Sequence, residues 1–371
     1  MTNKERYAAF CQAQPEMPVM LQPWWLEAVC AGKQWDVMLF TKSDLDAEST
    51  MWQRIKARAG KRFAGSSANA ANPEIPNAEA VNPEEEIVAA MPYLLRKRLW
   101  YRFVIMPQMT PFGGVWMNEE LFGAPELQEK LAKAVVRKLR EMYIAYYYQQ
   151  FPVGNPMPHW LGAQGLKTEE RVTYRINELP EIEVVEEGYS KNKKRQLHKA
   201  EGLEVDYDMS AEEFYRFHQA CMKERGKKLT YSREFLLVLE KKARRAEQCA
   251  IIRVRDQRSE IRDQKSEIRD QTLAAAFVVW DKRYLYYLLP AYLPSAAKSG
   301  ASARLADEAI RLAKEKNLQF DFEGGNSDEG IANHYRQFGS KAVAYQSVSK
   351  LYRPSFQLLL WANKLWVQRL F

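Results

Sequence analysis

With 371 residues the chain is longer than one compact domain usually needs, so two domains are expected. Its 46% hydrophobic and 27% charged residues supply apolar material for two cores and exclude a chain disordered throughout. A net charge of +8 favours anionic partners such as nucleotide phosphates, nucleic acid or lipid headgroups, without choosing among them.

In chain order, Pro23-Trp24-Trp25-Leu26 opens an amphipathic helix with proline in its first turn, and residues 35–40 read as a strand. Residues 64–86, rich in Ala, Asn, Pro and Ser, hold too few large apolar groups to offset their ordering entropy and read as a mobile loop. A hairpin is predicted from strands over 87–95 and 100–106, turning at Arg96-Lys97-Arg98. Pro107, Pro111 and Gly113-Gly114 follow, then a long helix over 125–142 and an aromatic strand over 143–148.

The second half repeats this order. Ser210 caps an amphipathic helix ending near Arg225-Gly226, strands are predicted over 250–254, 273–280 and 284–289, and Pro290, Pro294 and Gly300 precede a helix over 303–316. Helix, strand, interrupted hairpin, Pro-x-x-x-Pro, glycine, helix and strand thus occur twice, at a period too long for a solenoid. The reading is a duplicated α/β domain, with halves at residues 1–185 and 186–353 and a C-terminal amphipathic helix over 354–371.

The hairpin of the second half is interrupted at 255–271 by a seven-residue repeat with one apolar position per period, at Val254, Ile261 and Ile268, where a coiled-coil seam needs two. Like charges at helical spacing, such as Asp256/Glu260 and Arg258/Arg262, each oppose a helix by about 0.2 to 0.5 kcal/mol. A solvated hairpin tip without catalytic role is expected there. The tail carries Phe356, Trp361, Trp366 and Phe371 among Lys364 and Arg369, which suits either docking on protein or a weak membrane-surface contact. Cys11, Cys30, Cys221 and Cys249 are scattered without metal-ligand spacing and read as free thiols, with no metal site. The N-terminus has no signal-peptide character and no run reaches about 18 apolar residues, so a cytoplasmic protein without a transmembrane segment is expected.

The chemistry is expected around residues 320–339. There Phe320-Asp321-Phe322-Glu323 alternates aromatic and acidic side chains as a strand, placing both carboxylates on one face ahead of Gly324-Gly325-Asn326. A short helix follows, with Tyr335 four residues before Gly339. Two carboxylates ending an aromatic strand are costly to bury without partners, which marks the place. The run Lys191 to Lys199 sets cations in the first turns of a helix capped by Ser190, opposing its dipole unless an anion binds.

These pieces resemble the GNAT superfamily, and their duplication resembles the FemAB-like tandem-GNAT acyltransferases related to the Fem-type aminoacyl transferases. The likeness rests on the basic run after Ser190, on Asp321-Phe322-Glu323-Gly324 and on Tyr335-Arg336-Gln337-Phe338-Gly339. It implies two GNAT-like domains, each a mixed, mostly antiparallel sheet flanked by helices. It also implies transfer of an acyl or aminoacyl group to an amine, with Glu323 taking a proton, Tyr335 supplying one to the leaving group, and Asp321 beside them.

The implied acyl-CoA site runs along Leu289, Pro290, Lys298, Ser299, Gly300, Ala301 and Ser302, with the diphosphate on backbone amides at a helix N-terminus. Ala297 and Ser302 depart from the family's pattern in this loop, so aminoacyl-tRNA stands as an alternative donor. Tyr292, Asn326, Lys194 and Arg195 are the implied substrate-binding residues, and His334 is a competing base. The implied acceptor is a small-molecule or cell-wall-precursor amine, with tRNA but not DNA as a macromolecular partner. A catalytically silent GNAT-fold binding module and a peripheral membrane-associated protein are the alternative functions.

Overall fold

The computed structural model describes residues 1–46, 85–179, 181–256, 272–325 and 328–357. Most of the expected loop at 64–86 and of the insertion at 255–271, together with Asn326 and the tail beyond Gln357, lies outside the described residues.

Runs rich in β-branched and aromatic residues form strands β1 (Trp35–Thr41), β2 (Ile87–Arg98), β3 (Tyr101–Ile105), β4 (Trp116–Met117) and β5 (Tyr146–Gln150). They are followed by β6 (Lys167–Ile176), β7 (Glu204–Asp206), β8 (Cys249–Arg255), β9 (Thr272–Trp280), β10 (Tyr284–Tyr292), β11 (Gln319–Asp321) and β12 (Lys341–Leu351). All twelve join one sheet in the order β1-β2-β3-β5-β12-β6-β11-β10-β9-β8-β7, with β4 beside β2. The pairs β3/β5 and β10/β11 are parallel and the others antiparallel.

The expected mixed, mostly antiparallel sheets are therefore fused into one. The fusion is an exchange of strands: β6, from the first half, pairs with β11, while β12, from the second half, pairs with β5. The exchanged strands lie against each other from Lys341↔Arg175 to Ser349↔Lys167. The boundary expected at 185/186 divides the chain but not the sheet.

Helix Pro125–Glu141 buries Leu131, Val135 and Leu139 against one face of the first half. Helix Ala301–Glu315 packs Leu305, Ala309 and Ile310 against one face of the second half, with Phe320 and Phe322. The third core is continuous across both halves and gathers Trp25, Phe112, Phe214, Phe277, Tyr286 and Tyr345. Helix Ala211–Glu224 starts at Ser210 as expected, through a capping box with Glu213.

Two boundaries shift for local reasons. The first hairpin turns at Leu99-Trp100, with Leu99 at φ +51°, because Arg96, Lys97 and Arg98 remain paired to Phe103, Arg102 and Tyr101. The aromatic strand begins at Tyr146, since Tyr143, at φ +52°, closes the preceding helix through its amide on the Arg140 carbonyl. The cysteines are free, Cys11, Cys30 and Cys221 buried and Cys249 half-buried. Among the described residues no helix is long and apolar enough to cross a membrane.

Candidate active site

Strand β11 turns Phe320 into the core beneath helix Ala301–Glu315 and Asp321 to the opposite face. Asp321 is fully buried and saturated: it accepts from Thr173 Oγ1 at 2.5 Å, Arg175 Nε at 2.6 Å and the Glu323 amide at 2.9 Å. The Arg175 guanidinium also lies 4.1 Å above the Tyr284 ring centroid. Asp321 thus ties β11 to the exchanged strand β6, with the partners a buried carboxylate requires.

Glu323 does not continue the strand as alternation predicts. The strand ends at Asp321, and Glu323 sits at φ +49°, its amide held by the Asp321 carboxylate. Gly324 and Gly325 follow at φ +99° and +101°; a Cβ at Gly325 would stand 2.8 Å from the Tyr174 ring, so glycine is required where β6 closes in. The Glu323 side chain is half-buried. Burial, then the Asp321 charge, pushes its carboxyl up to about 8. Among the described residues nothing hydrogen-bonds that carboxyl.

Tyr335 comes from helix Glu329–Arg336, which Asp328 caps through the amides of Gly330 and Ile331. Its ring stacks on Phe322 with centroids 4.4 Å apart. Burial, then the Glu323 and Asp321 charges, pushes the phenol up, so it keeps its proton. Tyr345 of β12 feels Glu323 as well: burial first, then that charge, raises it, and its hydroxyl donates to Gln150 Oε1 at 3.0 Å. The structure therefore brings Glu323, Tyr335 and Asp321 together and adds Tyr345.

Lys193 is a further residue. It is 1% exposed, and its Nζ donates to Gln196 Oε1 at 2.9 Å, lies 3.1 Å from His334 Nδ1 and sits 4.5 Å from the Phe338 ring centroid. Burial lowers the ammonium to about 8; burial, then the Lys193 charge, lowers His334 to about 4. Lys193 fixes helix Lys191–Lys199 to the helix bearing Tyr335. His334 is bound in that contact rather than free as a base. The rest of the basic run faces water: Lys194 Nζ donates to the Glu187 carbonyl at 3.1 Å and Arg195 Nη2 to Asn192 Oδ1 at 3.3 Å. Neither meets Glu323.

On the implied donor side, β10 pairs with β11 only from Tyr284↔Gln319 to Tyr286↔Asp321, and its register with β9 slips between Tyr286 and Leu289. Leu289 and Pro290 lie beyond that parting, and Tyr292, 39% exposed, ends the strand beneath Arg225 at 4.4 Å. The loop before helix Ala301–Glu315 is bonded in part within itself. Ser299 Oγ donates to the Ala296 carbonyl at 2.7 Å and accepts the Ala301 amide at 3.1 Å. Gly300, at φ +83°, leaves no room for a Cβ, which would stand 2.2 Å from the Gln196 carbonyl oxygen. The closeness of helix Lys191–Lys199 thus explains this glycine without a phosphate. Lys298 is exposed, and Ser302 is half-buried in the first helical turn.

Residues 189–336 match the acetyltransferase (GNAT) domain family. Among solved structures, FemX is similar over 98% of both chains with a TM-score of 0.64 at 12% identity. L-PGS from Bacillus licheniformis covers 76% of this chain and 87% of its own at 11% identity and a TM-score of 0.45. A tandem GNAT protein from the clavulanic acid biosynthesis pathway covers 85% and 98% at 10% identity and a TM-score of 0.41. No curated protein sequence matches. Residues 189–336 thus match the GNAT domain family, within a fold similar to that of FemX along nearly the whole chain.

Proposed function

We propose that the second half transfers an acyl group from an activated carbonyl to an amine acceptor, at the point where β10 and β11 part. The observation that carries this reading is the meeting of an unbonded carboxyl raised to about 8 with a phenol whose burial holds its proton. The acceptor amine attacks the donor carbonyl; Glu323, as carboxylate, takes the proton the nitrogen loses, and Tyr335 offers its proton to the leaving group. Asp321 is a positioning residue: it holds the Glu323 amide and is itself held by Thr173 and Arg175.

The loop at Lys298–Ser302 suits a coenzyme A diphosphate poorly, because Ser299 takes the Ala301 amide and helix Lys191–Lys199 crowds the space beside Gly300. That observation favours an aminoacyl ester, such as aminoacyl-tRNA, over acyl-CoA, and the net charge of +8 suits a nucleic-acid donor. Calorimetric titration with acetyl-CoA beside thermal-shift titration with charged tRNA separates the donors, and the expected result is a response to the charged tRNA alone. Transfer to amine acceptors from whichever donor binds then tests the chemistry. Unchanged turnover in both Glu323→Gln and Tyr335→Phe would overturn the assignment.

A further inference from the structure

The tip of the first hairpin is built against local preference. Strand β2 ends in Arg96-Lys97-Arg98, the turn is Leu99-Trp100, and β3 starts with Tyr101-Arg102: four cations and no carboxylate in seven residues. Two-residue turns of this kind favour glycine or asparagine where φ is positive. Here leucine takes that position at φ +51°. Leu99 is 66% exposed and Trp100 77% exposed; Trp100 meets the Tyr101 ring with centroids 5.6 Å apart, but most of both side chains stays in water. Strain and solvation both disfavour these two side chains in the isolated molecule.

The surroundings extend the pattern. The Ala145 amide donates to the Arg102 carbonyl at 2.7 Å, which sets the loop bearing Tyr143, 58% exposed, beside the tip. The Arg353 amide donates to the Ala145 carbonyl at 3.3 Å, bringing a further exposed cation to this end of the sheet, where exposed Arg140 and Glu141 also stand. The base of the tip is firm: Tyr101 packs on Phe356 with centroids 5.2 Å apart and donates to Ser355 Oγ at 2.8 Å.

We infer that this tip is a docking surface for an anionic lipid bilayer. Its apex is apolar and its cations are set back along the two strands, so Leu99 and Trp100 enter the acyl boundary while the cations stand at the depth of the phosphates. A nucleic-acid surface would call for the reverse order, with cations foremost, and an aliphatic Leu99 has no role in stacking on bases.

The test is flotation of the full-length protein with vesicles of phosphatidylcholine alone and of phosphatidylcholine with phosphatidylglycerol. Binding is expected only to the anionic vesicles, weakening as salt rises. Leu99→Gly with Trp100→Ser relieves the left-handed leucine, so it raises the melting temperature while lowering vesicle binding about tenfold. Lys97→Glu lowers binding in the same direction with the melt unchanged. Absence of flotation, equal flotation on neutral vesicles, or full binding by the tip variant would overturn the inference. So would loss of binding in the full-length Trp361→Ser/Trp366→Ser variant alone, or a tip-dependent dimer or RNA complex without vesicle binding.

Discussion

Each half of the sheet contains one parallel pair, and the two pairs are finished differently. After β3, the first half folds back on its own parting: the Gly113 amide donates to the Gln150 carbonyl at 2.7 Å, and the missing side chain of Gly114 admits Phe151, whose ring would lie 2.5 Å from a Cβ. Strand β5 closes in amides, and Gln149 is bonded at both ends, to the Pro92 carbonyl at 2.8 Å and the Tyr147 hydroxyl at 3.1 Å. Strand β11 instead runs into carboxylates, one saturated by Arg175 and Thr173 and one, at Glu323, without a hydrogen bond among the described residues. A duplicated frame holds neutral filling in one half and an ionisable centre in the other. The difference lies in the few residues after each strand.

The comparison breaks most sharply on rates. Glu323→Gln is expected to lower kcat/KM about 100- to 10,000-fold with donor binding unchanged. Phe151→Leu in the first half should move the melting temperature and leave steady-state turnover intact; a comparable rate loss there would erase the distinction. Next in size, Arg175→Met leaves Asp321 buried without its cation and should cost about 3 to 5 kcal/mol in urea denaturation. Gln149→Leu, which removes a neutral amide, should cost about 1 to 3 kcal/mol.

Gly114→Ala and Gly325→Ala each force a side chain into a left-handed position against a ring, at about 1 to 3 kcal/mol apiece in the same denaturation assay. Only Gly325→Ala should also depress turnover. The smallest effect is on pH. Because the Glu323 carboxyl is raised from 4.5 to about 8, the folded chain binds this proton where the unfolded chain has lost it, so stability falls as pH rises through that window. Melting temperatures of wild type and Glu323→Gln should diverge in the variant's favour toward pH 8, while wild-type kcat/KM rises as the carboxylate forms.

Much of this was legible from residue order. Strands β1, β2, β8, β9 and β10 and the long helices carry apolar periods that hold in almost any context. The exchanged strands do not: β6 begins Lys167-Thr168-Glu169-Glu170-Arg171, and its place in the sheet comes from pairing with β12, not from its own apolarity. The acidic pair and Tyr335 stand out because strand, glycine turn and helix are contiguous. Glu323 differs from its expected pose because the Asp321 carboxylate turns the backbone, a contact that alternation cannot show. Lys193 was hidden inside a run of cations, though its spacing to Leu197 and Ala200 is that of an inward helical face, the one signal that separates it from Lys194 and Arg195. Tyr345 had no local motif and entered only through the exchange.

The strand exchange also sets an order of assembly. Strand β5 is made long before its neighbour β12, so a growing first half carries an unpaired edge until residues 341–351 emerge. Cutting the chain between the halves would strip β5 and β11 of one neighbour each, so the two pieces expressed apart should associate or aggregate rather than fold alone. The two halves therefore form one interlocked sheet, closed by pairings far apart in sequence.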